Sequence, residues 1–166
     1  MSTHEHSLTA LHQTDRSSLR DFILTFVNRC NIQYRGVEQP IADLEALCIA
    51  EASARGYLRA DDKALRRCIG VGAAMAATSY AHLSDGNVRI CIGLYTGFLT
   101  YLDDFFVSHI DAIREFVHRF ASRQRQQLKL LDDFAAFLLE MPRVHNPMAC
   151  NIILSSTLDY ISSLLI

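Results

Sequence analysis

The sequence is short of several things, and each shortage removes a class of protein. No stretch reaches about 20 consecutive apolar residues, so no transmembrane helix is expected. Only 20% of residues are charged and the formal net charge is -2, which leaves no strong field for nucleic acid. The five cysteines (30, 48, 68, 91 and 150) show no metal-type spacing. Their odd number argues against a disulfide framework. All but Cys150 fall on apolar helix faces, and they read as buried free thiols. No signal peptide is expected, and the sequence shows no internal repeat, no domain linker and no strand signal. Residues 1–16 are polar, carry His4, His6 and His12, and read as a disordered tail. The cytosol is the compartment that fits.

What is present is helix. Half the 166 residues are hydrophobic, enough for one domain over residues 17–166 with a sizeable core or an unmet partner surface. Leu19, Phe22, Ile23, Phe26, Val27 and Cys30 follow helical spacing after Ser17-Ser18. Gly36 and Pro40 interrupt the chain, and a second helix runs from Ile41 to near Gly56. Asp61 is expected to cap a third helix reaching Tyr80. Two glycines inside it, Gly70 and Gly72, suggest close helix contact or room for a ligand. Ser108 and Asp111 resemble a capping box, Leu128 starts a further helix that Pro142 ends, and Asn146-Pro147 opens the last. The pattern predicts an all-α bundle of about seven helices.

One stretch organises the rest: NVRICIGLYTGFLTYLDDFFV, from Asn87 to Val107. It is apolar on nearly every side, so it is expected to be enclosed by other helices. Two adjacent carboxylates, Asp103 and Asp104, close it. The helix dipole is negative there, the flanking residues are apolar and the acids repel each other. A positive partner is required, and a hard divalent cation suits paired oxygens. The other acid pairs have local explanations. Asp61-Asp62 lies at a helix start, and Asp132-Asp133 lies near Arg123, Arg125 and Lys129.

A helix ending in aspartates with aromatics beside them resembles the aspartate-rich motif of class I terpene cyclases. Two further blocks resemble the fungal trichodiene synthase family: Ala81-His82-Leu83-Ser84-Asp85-Gly86-Asn87-Val88, and Asn151 to Tyr160, NIILSSTLDY. The resemblance runs over roughly residues 18–165. It implies a class I terpenoid synthase bundle, an isoprenoid diphosphate substrate such as farnesyl diphosphate, Mg2+, and carbon–oxygen lyase chemistry that ends in cyclisation. It implies Asp103, with Asp104, as metal ligands at the mouth of a cavity or groove. Thr96, Leu99 and Thr100 would line that cavity, with Tyr80, Phe98, Phe105 and Phe106 as aromatic walls. Spacing alone also allows these aromatics to be core.

Val107 stands where the motif carries a third acid. The later diphosphate-sensing arginine, the second metal motif and the Arg-Tyr pair have no counterpart here, so the chain is expected to be the N-terminal half of a cyclase, weak or inactive alone. The alternative is a non-catalytic helical module that binds a partner or, as a homodimer, a second copy of itself.

Overall fold

In the computed structural model, residues 18–30 and 41–166 are described. The expected tail and the break at Gly36 and Pro40 lie outside them. The chain divides into two compact units, Met1–Gly36 and Val37–Ile166. In the first, the described residues form one helix, α1, over residues 18–29. Cys30, just after it, is exposed, which departs from the expectation of burial.

The second unit is all-α among the described residues. Its helices are α2 (Ile41–Ala54), α3 (Lys63–Ser79), α4 (Gly86–Phe105), α5 (Ile110–Ala121), α6 (Lys129–Glu140) and α7 (Pro147–Ser163). Short 3-10 turns cover Phe106–His109 and Met141–Arg143.

Local chemistry sets most boundaries. Gly56 takes a left-handed φ of 73° and turns the chain after α2. Asp62, not Asp61, caps α3, accepting from Leu65 N at 2.9 Å. Asp85 caps α4 through Asn87 N at 2.8 Å. Asn146 caps α7 through Ala149 N at 2.9 Å, with Pro147 at the first helical position. The expected capping box at Ser108 does not form. α5 starts at Ile110 with no side-chain cap, and Asp111 pairs with Arg114 at 3.1 Å instead.

α3 and α4 form an antiparallel pair packed backbone to backbone. A Cβ on Gly72 would lie 2.0 Å from the Gly93 carbonyl oxygen and 2.7 Å from Gly97 N. Of the two readings of the α3 glycines, the structure selects close contact for Gly72. α2 packs across this pair, burying Leu44, Cys48 and Ala52.

On its other side α4 meets α6 and α7. Phe98 stacks on Phe134 at 5.2 Å and lies 5.7 Å from Tyr57 and 5.5 Å from Phe137. Phe116 of α5 extends this cluster, 5.9 Å from Phe134. Tyr95 and Thr157 share a 2.8 Å hydrogen bond that ties α4 to α7.

α4 is therefore enclosed, but unevenly: Cys91, Leu94, Phe98 and Leu102 are buried, while Ile92, Tyr95 and Leu99 are half-buried. The stretch Gly86–Ala121 is long and apolar enough to pass for a membrane span by composition. The 3-10 turn interrupts it, and its first helix is packed against α2 and α3. Cys150 is buried as well, facing inward from α7, so the apolar-face rule that set it apart fails there.

Candidate functional site

The α4 sequence is apolar for most of its length, and its two carboxylates appear only at the last turn. Asp103 and Asp104 are both exposed. Neighbouring residues on a helix project about 100° apart. The two acids accordingly reach different helices. Asp104 Oδ2 accepts from Arg67 Nη2 of α3 at 2.7 Å. Asp103 Oδ1 accepts from the Tyr160 hydroxyl of α7.

The positive charge that the helix end requires is thus supplied to Asp104 by Arg67. This ion pair is open to water, with the side chains 65% and 43% exposed, so its attraction is screened. Tyr160 gives Asp103 a neutral donor. Burial, and next the bond to the Asp103 carboxylate, push the phenol's pKa up. The phenol therefore stays a donor throughout the physiological range.

The other candidates spread along α4. Thr96, Leu99 and Thr100 are half-buried on the turns before Asp103. The Thr100 hydroxyl donates to Thr96 O at 2.8 Å, so it is satisfied within its own helix. Phe98 is only 2% exposed and belongs to the aromatic core. Phe106 is half-buried in the 3-10 turn, and Phe105 stacks on Tyr101 at 4.4 Å. Tyr80 caps the far end of α3 beside His82. With α4 20 residues long, Tyr80 stands most of about 30 Å from the acids.

A hollow of about 230 Å³ lies near the C-terminal end of α4, lined by Tyr101, Leu102, Phe105, His109 and residues 128–131. Neither Asp103 nor Asp104 lines it. A hollow of about 200 Å³ at the opposite end includes Asp85, Cys91, Glu51 and Glu140.

Among the described residues, no group of three or more His, Cys, Asp or Glu side chains is arranged to hold a metal ion. The donor set does not fit a dedicated metal cage. It does fit a hydrated magnesium ion carrying substrate oxygens, which needs only one or two protein carboxylates. Among the described residues, Asp103 keeps one oxygen free of any hydrogen bond donor, whereas Asp104 shares its charge with Arg67.

Arg67 and Tyr160 were not legible as site residues. Their partners lie 37 and 57 positions away along the chain. The only local signal was the aromatic that closes the Asn151–Tyr160 block.

An all-α bundle with an acid pair at the end of its central helix is the class of structure that the resemblance implied. No family model matches the chain. The chain is similar to alpha-cuprenene synthase COP6 of Coprinopsis cinerea, 28% identical over 148 residues. The match covers 88% of this chain and 45% of that protein, so the chain spans less than half the length of the relative. This distant likeness is to a terpene synthase and does not single out the trichodiene synthase family.

Proposed function

We propose that the chain forms one wall of a Mg2+-dependent site for an isoprenoid diphosphate, farnesyl diphosphate being the reference substrate. The observation that carries this reading is the position of Asp103. It is an exposed carboxylate with a free oxygen, at the end of a buried helix, in a chain similar to a sesquiterpene synthase over most of its length.

Magnesium, when bound, would neutralise the diphosphate as the carbon–oxygen bond breaks. Asp103 would hold it, and Asp104 could join once released by Arg67. The half-buried face of Thr96, Leu99 and Thr100 would exclude water below. These residues supply one wall only, so the chain by itself is proposed to bind magnesium diphosphate weakly and to cyclise substrate at a negligible rate.

The test is incubation with Mg2+ and geranyl, farnesyl or geranylgeranyl diphosphate, followed by gas chromatography, with magnesium-dependent diphosphate binding measured in parallel. Weak binding lost in Asp103→Ala supports the reading. A cyclic terpene formed by wild type and lost in Asp103→Ala would show that one wall suffices.

A second reading is a helical interaction module. Both carboxylates already have protein partners, and Met148 and Ile152, one turn apart on α7, are 74% and 60% exposed. A homodimer in solution with no magnesium-dependent diphosphate binding would favour it.

A further inference from the structure

Two contacts join α4 to α7 through tyrosine hydroxyls. Deeper in the fold, Tyr95 of α4 meets Thr157 of α7 at 2.8 Å. Thr157 is fully buried, and its hydroxyl also bonds Ile153 O at 2.6 Å. This contact is one of the two polar ties between α4 and α7. One turn further along α7, Tyr160 projects to the end of α4 and donates to Asp103.

We propose that Tyr160 is a positioning residue for Asp103, holding the carboxylate so that its second oxygen is presented to a divalent cation. The proposal rests on the reading of Asp103 as a metal ligand given above.

The argument is one of charge and freedom. A carboxylate has two oxygens and about four lone-pair directions, so one hydroxyl bond leaves it able to ligate. An exposed aspartate otherwise samples several rotamers, and a cation must order it on binding. Tyr160 orders it beforehand. Because the phenol is neutral, it does this without cancelling the charge that attracts the cation. Arg67 does cancel charge on Asp104. The two acids of the pair thereby acquire different roles: Asp103 is held and remains electrostatically available, while Asp104 is held and compensated. Groups that orient a ligand by hydrogen bonding commonly change metal affinity by about 10–100-fold when removed.

The experiment uses the full chain and manganese(II) as a spectroscopic stand-in for magnesium. Binding is followed by electron paramagnetic resonance, with and without inorganic diphosphate. Tyr160→Phe keeps the ring and its packing and removes only the hydroxyl. Tyr95→Phe removes the other hydroxyl contact between the same two helices and controls for a structural effect.

The expected result is binding by wild type, binding about tenfold weaker in Tyr160→Phe, loss in Asp103→Asn, and wild-type affinity in Tyr95→Phe. Equal affinity in wild type and Tyr160→Phe would overturn the proposal and leave the metal site standing. Equal losses in Tyr160→Phe and Tyr95→Phe would overturn it in favour of general helix docking. No manganese binding by wild type, with or without diphosphate, would overturn the site reading itself and this proposal with it.

Discussion

Gly72 of α3 faces the carbonyl of Gly93 of α4 so closely that a methyl group on Gly72 would overlap it, at 2.0 Å. The obstacle is backbone, which cannot rotate away as a side chain could. Alanine normally gains about 1 kcal/mol over glycine inside a helix. Here overpacking should outweigh that gain, at the upper end of about 1–3 kcal/mol. Gly72→Ala is therefore expected to lower the urea midpoint. Gly86→Ala, where nothing lies within 4 Å of the new methyl, should not.

Phe98 tests whether an aromatic on α4 is core or cavity wall. It contacts Tyr57, Phe134 and Phe137 and is 2% exposed. Phe98→Ala should cost about 3–5 kcal/mol, as core phenylalanines do. Leu99→Ala, at a half-buried position, should cost less. Equilibrium denaturation of both variants decides the matter, and equal small losses would return Phe98 to the cavity.

The Arg67–Asp104 pair is visible in the structure but should weigh little in stability. Both side chains are well exposed, and such pairs contribute about 0–1 kcal/mol. A double-mutant cycle of Arg67→Ala and Asp104→Ala should give a coupling below about 1 kcal/mol, falling further with added salt. A coupling of several kcal/mol would mean that the pair is shielded from water.

Burial raises the Cys91 thiol from 9.0 to about 11 and Cys48 from 9.0 to about 12. Below pH 9 both states of the protein hold these protons. Above it the unfolded chain loses them while the folded chain keeps them, so stability must fall as pH rises from about 9 towards 11. Urea midpoints at neutral pH and near pH 10 should show the decline, and Cys48→Ala should flatten it. At neutral pH both thiols should resist alkylation until the chain unfolds.

The helices were legible because their signals are local. Apolar spacing marks α2, α3 and α6, and Asp85 and Asn146 cap through backbone amides two or three residues on. Where local signals compete, the reading slipped: Asp61 and Asp62 both suit a cap, and Ser108 lost that role to a 3-10 turn that continues from α4. The acid pair was legible because two charges at an apolar helix end demand an explanation. Their partners were not, since Arg67 and Tyr160 arrive only through packing of α3 and α7 on α4. Phe98 and Tyr80 carried no sequence mark of where they would point. One entered the core, and the other went to the far end of the helix pair.

Val107 follows the acid pair in the 3-10 turn and is 84% exposed. It occupies the fifth position counted from Asp103, where the aspartate-rich motif has its third acid. A surface substitution there should change stability by no more than about 0.5 kcal/mol. Valine and aspartate codons differ by one base. An acid at this position is therefore a single mutational step from this sequence, and the exposure of Val107 leaves room for it.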